Sequence, residues 1–124
     1  MATVYNNRPA APNVNLNNST GTALVQYELT VIGGLVLIAD EAIANGVVGS
    51  FYSEDGATCQ ISEFVAGELT FGTVNAPVFF DPATGDFSDT STVGYYPVGI
   101  VKTIKNSAGV VEVLLQRHTT IVAA

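Results

Sequence analysis

The stretch Ala76–Asp89, APVFFDPATGDFSD, places two apolar runs around a segment with the composition of a tight turn. Three carboxylates, Asp81, Asp86 and Asp89, fall inside it, so it reads either as an acidic ligand cluster or as a hairpin. Each residue of the turn has a local role. Pro82 fixes φ at the position where a type I turn favours proline, and the Asp81 carboxylate can accept from the amide of Ala83 or Thr84. Gly85 then supplies the positive φ that a hairpin needs after such a turn. The stretch is therefore expected to be two strands joined by a structural turn at Asp81, Pro82 and Gly85. A calcium site needs about six to eight oxygens, and neither the twelve-residue loop spacing nor its bidentate glutamate is present. What that leaves for Asp81, Asp86 and Asp89 is an incidental ion. A glycosidase carboxylate pair would need a sizeable pocket, which a domain of this size has little room for beside its core.

Working outward, the same β signature recurs. In ALVQYELTVI, Val25, Tyr27, Leu29 and Val31 alternate with polar residues, which is the period of a strand. Gly33-Gly34 marks a turn or bulge before the apolar run LVLIA. Asp40 and Gly46 bracket DEAIANG as a cap and a stop, enough for a single helical turn. VVGSFYS and ATCQIS read as strands, with Asp55-Gly56 as a hairpin signal between them. EFVAGELTFGTVNA is broken by Gly67 and Gly72 and is expected to be largely irregular. PVGIVKTIK and VVEVLLQR flank the short loop NSAG, Asn106–Gly109, and should pair antiparallel. The tail TTIVAA is expected to add an edge strand or dock on a partner. No long 3.6-residue period and no internal repeat is visible. The expectation is a mainly β fold, a small β-barrel or sandwich-like (β-tulip-like) domain over residues 21–124.

Residues 1–20 differ in kind: they hold six asparagines and two prolines and no acidic residue. Pro9 and Pro12 favour extended backbone and oppose a helix. Val4, Tyr5, Val14 and Leu16 are spaced apolar side chains on this segment. It reads as an extended arm, up to roughly 65–70 Å long if fully stretched.

Composition narrows the function. Only 12% of the 124 residues are charged, well below the roughly 25% of an ordinary soluble domain. Such a surface is either covered by Asn, Ser, Thr and Gly or buried against partners. Four basic residues, Arg8, Lys102, Lys105 and Arg117, stand against eleven acidic ones, for a net charge of −7. Binding to nucleic acid or to anionic membranes, which relies on Lys and Arg, is not expected. MATVYNNRPA lacks the basic-then-apolar pattern of a signal peptide, and Leu29–Ala39 is too short to span a bilayer, so synthesis in the cytoplasm is expected.

The chemistry-bearing residues are few. Cys59 is the single cysteine, in an alternating stretch where it reads as a small buried hydrophobe. His118 is the single histidine, with no second ligand for a metal and no nucleophile elbow. Lys102 and Lys105, three apart on one strand, face opposite sides and make no basic patch. No phosphate loop, cofactor motif or catalytic set stands out, and the chain is not expected to be an enzyme.

Three elements in this order, LVLIADEAIANGVVG, APVFFDPATGDFS and YYPVGIVKTIKNSAGVVEVLLQ, resemble the capsid cement, or head decoration, proteins of tailed bacteriophages. The resemblance covers about residues 21–117. The arm and the tail fall outside it, and Phe80 stands where that family often has a tryptophan. The resemblance implies a structural virion protein, made in the host cytoplasm, that binds the outer surface of the expanded capsid. It would do so as a homotrimer clamping neighbouring copies of the major capsid protein. A capsid-binding role then falls to the arm, through Val4, Tyr5, Arg8, Pro9, Pro12, Val14 and Leu16. The alternative is a head-fibre or adhesion-type module recognising a host surface glycan, with Tyr95 and Tyr96 facing solvent rather than a trimer axis or core.

Overall fold

The computed structural model describes residues 5–6, 13–53, 56, 58–65 and 70–123. Val4, Arg8, Pro9 and Pro12 of the arm lie outside them, as do Asp55 and Gly67. The mainly β class holds: the described residues contain strands, bridges and turns and no helix. None is therefore long and apolar enough to cross a membrane as a helix.

In chain order the strands are β1 (Tyr5–Asn6), β2 (Val14–Asn17), β3 (Leu29–Ile32), β4 (Leu35–Ala39) and β5 (Val48–Tyr52). They continue as β6 (Thr58–Ile61), β7 (Pro77–Asp81), β8 (Asp86–Ser88), β9 (Tyr96–Thr103) and β10 (Val111–Leu115). Two antiparallel sheets result, ordered β1-β6-β10-β9-β7-β8 and β2-β5-β4-β3. The opening stretch forms the β7–β8 hairpin as read, with Phe80 opposite Phe87 and Asp81 opposite Asp86. The closing hairpin β9–β10 is also as read. Asn106 organises its loop by accepting from the amides of Ala108 and Val110 at 2.9 and 3.0 Å. Gly33 and Gly34 are both at positive φ, 59° and 76°, which is the backbone of a two-residue hairpin turn between β3 and β4.

Strand alternation assigns the four-stranded sheet two apolar faces. Leu29, Val31, Val36, Ile38 and Tyr52 point to the six-stranded sheet and join its Val78, Phe80, Phe87, Val98, Val101 and Val113 in the main core. The opposite face carries Leu16, Ile32, Leu35, Leu37, Ala39 and Phe51, packed with Leu24 and Ile43. Burying each such side chain contributes roughly 1.5–3 kcal/mol, so both clusters matter to stability.

That second cluster corrects the helical turn expected over 40–46. Ile43 instead forms an antiparallel bridge with Leu24, donating to and accepting from its backbone at 2.9 and 2.8 Å. Its side chain fills the second cluster, while Glu41 caps the Ser50 amide at 2.9 Å. Tertiary pairing at Ile43 outweighs a one-turn helix, which nucleates poorly.

The hairpin expected between VVGSFYS and ATCQIS is corrected as well. β5 and β6 belong to different sheets, β5 beside β2 and β4, β6 between β1 and β10. The chain crosses between layers here, and Gly56 donates to the Leu115 carbonyl at 2.8 Å. The tail is a stitch rather than an edge strand. Thr119 donates to Gly34, and Val122 exchanges hydrogen bonds with Gly94 and Tyr95, so residues 119–122 join the β3–β4 turn to the segment entering β9.

Candidate functional site

The β7–β8 turn is built as its sequence demands. The Asp81 carboxylate accepts from the Ala83 amide at 2.9 Å and the Thr84 hydroxyl at 3.0 Å. Gly85, at φ 76°, donates to the Asp81 carbonyl at 2.8 Å. Tyr95 donates its phenol to the Asp81 carboxylate. Burial and then that negative charge push the Tyr95 phenol above its usual range.

Asp89 has a different job. It accepts from the amides of Thr70 and Phe71 at 3.1 and 3.2 Å and from the Thr90 hydroxyl at 3.0 Å. Burial opposes its charge, but the hydrogen bonds from Phe71, Thr90 and Thr70 outweigh it and hold the carboxyl below its ordinary value. They also fix Phe71, which is buried at φ 44° against Phe64, their ring centroids 4.9 Å apart. Asp81 and Asp89 thus serve separate local structures, Asp86 pairs with Asp81 in the hairpin ladder, and no group of metal-ligating side chains forms among the described residues.

A folded-state pKa below the unfolded one means that Asp89 stabilises above its unfolded pKa, and this contribution is lost as pH falls through the folded value. Asp89→Asn is expected to lower stability by about 1 kcal/mol near neutrality, the modest end for a half-buried charged acceptor. The gap to the wild type should close in acid, where both carry a neutral group at position 89. Urea unfolding at neutral and at acid pH checks this, and a gap that stays constant would contradict the assignment.

The turn also borders a groove of about 390 Å³. Three parts of the chain contribute: the segment Thr20–Leu24, the strand β3 with Glu28, and the turn Pro82–Gly85 with Phe80 and Tyr96. Thr20 and Thr22 are held there by Asn18, whose amide donates to the Thr22 carbonyl at 2.8 Å and whose oxygen accepts from the Thr20 hydroxyl at 2.6 Å. Glu28 accepts from the Val25 amide through one oxygen at 3.0 Å. Thr30 is buried. Among the described residues, no Lys, Arg or His lines the groove.

The remaining sequence candidates are spread over the molecule. Val14 and Leu16 lie on β2, with Val14 exposed and Leu16 packed on the second cluster. Tyr5 pairs through its backbone with Gln60. Tyr96 packs against the main core and lines the groove, and Tyr95 is half-buried, so the pair fits neither a solvent-facing platform nor a full core position. Cys59 is fully buried, and desolvation followed by the charge of Glu112 pushes its thiol up to about 12, the behaviour of the small hydrophobe read from sequence. His118 is exposed and bridges Leu35 through its backbone. Lys102 lies 3.7 Å from Glu112, and Lys105 sits 4.7 Å above the Phe64 ring, so the two make separate contacts.

Sequence reasoning missed Thr20, Thr22, Glu28 and Thr30 as a group. They come from an unremarkable polar segment and a strand, which Asn18 and the Leu24–Ile43 bridge hold to the four-stranded sheet, while the β7–β8 turn lines the other side of the groove. Compared with protein-family models, curated proteins and solved structures, the chain matches none.

Proposed function

We propose that this chain is a structural decoration protein of a tailed-phage head, a homotrimer that binds the outer surface of the expanded capsid and clamps neighbouring major capsid subunits. It acts by binding and performs no catalysis. The observation that carries the reading is the arrangement of the motifs shared with that family. The APVFFDPATGDFS hairpin and the closing hairpin are neighbours in one sheet, in the order β8-β7-β9-β10. LVLIA is the interior strand β4 of the other sheet, packed across the main core.

Surface chemistry agrees. Val47, Val48, Val74, Val93, Ile104 and Ile121 are each 45% exposed or more, in a chain with few charges to shield them. Surfaces of this kind suit burial against copies of the chain or a shell. β1 and β2, the strands formed by the N-terminal segment, each lie at the edge of a different sheet. The segment is thereby placed at two rims where an extended partner can add to it. Three linked copies would raise the effective concentration of individually weak contacts, and a net charge of −7 disfavours nucleic acid.

The test mixes purified protein with undecorated expanded heads and measures co-sedimentation, alongside light scattering for oligomeric state. A trimer that saturates the heads is expected. A version lacking residues 1–12, which keeps β2 and Asn18, should bind much more weakly. A protein that remains monomeric at micromolar concentration and does not sediment with heads overturns the proposal.

A further inference from the structure

We propose that the groove between the β7–β8 turn and β3 binds a neutral saccharide, a site on the single chain that is independent of any capsid contact. Its lining selects the ligand class. No cation lines it among the described residues, and Glu28 places a carboxylate there, which disfavours phosphates and other anions. Thr20, Thr22, Thr84 and Tyr96 in the lining bear hydroxyls, groups that can both donate and accept. Sugar hydroxyls have the same dual character. Phe80, Pro82 and Ala83 add apolar surface suited to the C–H face of a sugar ring, with the ring of Tyr96 beside them.

The groove is framed by buried and hydrogen-bonded residues. Thr30 is only 6% exposed and lines the groove from the edge strand β3, paired with Leu37 of β4. The lining is also held in place before any ligand arrives. Asn18 fixes Thr20 and Thr22, the Val25 amide orients Glu28, and Asp81 fixes Thr84. Pre-organised polar groups lower the entropic penalty of binding. The volume, about 390 Å³, lies within the usual range for small-ligand pockets, roughly 300–1,000 Å³.

The experiment titrates isotope-labelled protein with maltose, cellobiose and lactose, with glucose 6-phosphate as an anionic control, and follows amide shifts by NMR. Saturable shifts are expected for at least one disaccharide at Thr22, Glu28, Thr30 and Thr84, with weaker binding of the phosphate. Glu28→Gln retains an acceptor for the Val25 amide but loses the charge, and should weaken binding about ten-fold, the scale of one charge-assisted hydrogen bond. Thr22→Val removes a hydroxyl from an exposed position and should weaken it less. Absence of saturable shifts at the groove with all three sugars overturns the proposal. So does binding unchanged in both variants, or tighter binding of the phosphate. Because no capsid is present in the titration, its failure leaves the decoration proposal standing, and the reverse also holds.

Discussion

Replacing Gly99 with alanine is expected to abolish stable folding, or to lower stability by more than about 3 kcal/mol. Gly99 lies in β9, the most central long strand, opposite Leu115 of β10 on one side and Val78 of β7 on the other. Both ladders shift register nearby, between Glu112 and Val113 and between Val78 and Phe79. β10 runs so close to Gly99 that a Cβ there would fall onto the Leu114 carbonyl oxygen, with the Leu115 Cα at 3.1 Å. Backbone atoms paired in a ladder cannot rotate away. Relief would require opening the β9–β10 pairing that carries Val98, Val101, Val111 and Val113, all fully buried. Gly49→Ala is the informative comparison. A Cβ there meets the Ile43 side chain, at 2.5 Å from Cγ1 and 2.6 Å from Cδ1. Ile43 can repack, so the loss should be an ordinary overpacking penalty of about 1–3 kcal/mol. Urea unfolding followed by circular dichroism compares the two. Equal and small losses would show that β10 does not approach Gly99 as described.

The Pro-Val-Gly of PVGIVKTIK shows how much was legible. As a sequence motif it marks a strand and a resemblance, and a glycine inside a strand signals a bulge or a close backbone approach. Which neighbour approaches is a property of register, and register depends on pairing across the sheet. Local chemistry was readable wherever the governing contacts were local. The Asp81–Gly85 turn, the Asn106 loop and the Gly33-Gly34 turn each use partners within four residues. Reading failed where distant partners decide. Asp55-Gly56 has hairpin chemistry, yet β6 finds its neighbours in β1 and β10. The Asp40–Gly46 segment has helix caps, yet Ile43 is claimed by Leu24. The groove was illegible for the same reason, because Glu28 and Thr84 are brought together only by the packing of one sheet on the other.

Asn18 carries the second large effect, and its position at the end of an apparently separate arm conceals it. Its side chain is fully buried and uses both ends: the amide donates to the carbonyls of Thr22, Ile43 and Ala44 at 2.8, 3.1 and 3.3 Å. The oxygen accepts from the Thr20 amide at 3.2 Å and the Thr20 hydroxyl at 2.6 Å. Its backbone is engaged as well, donating to Val47 at 2.9 Å and accepting from Gly46 at 2.8 Å. One residue therefore ties the end of β2 to the turn before β5 and to the segment lining the groove. Asn18→Ala would remove five hydrogen bonds at once: the Thr20 amide loses its acceptor, while the carbonyls of Thr22, Ile43 and Ala44 keep only the Thr20 hydroxyl, the Leu24 amide and the Val47 amide. At about 0.5–1.5 kcal/mol for each hydrogen bond lost, discounted for water entering this partly exposed space, a loss near 3 kcal/mol is expected. Asn18→Asp keeps the shape and the acceptor but removes the amide, placing a carboxylate against three carbonyl oxygens. It should be at least as destabilising at neutral pH. Denaturant unfolding measures the loss, and amide exchange at Leu24 and Gly46 locates it, since both should lose protection before the β9–β10 ladder. A loss under about 0.5 kcal/mol in both variants would mean that water replaces the network freely and that Asn18 does not anchor the N-terminal segment to the domain.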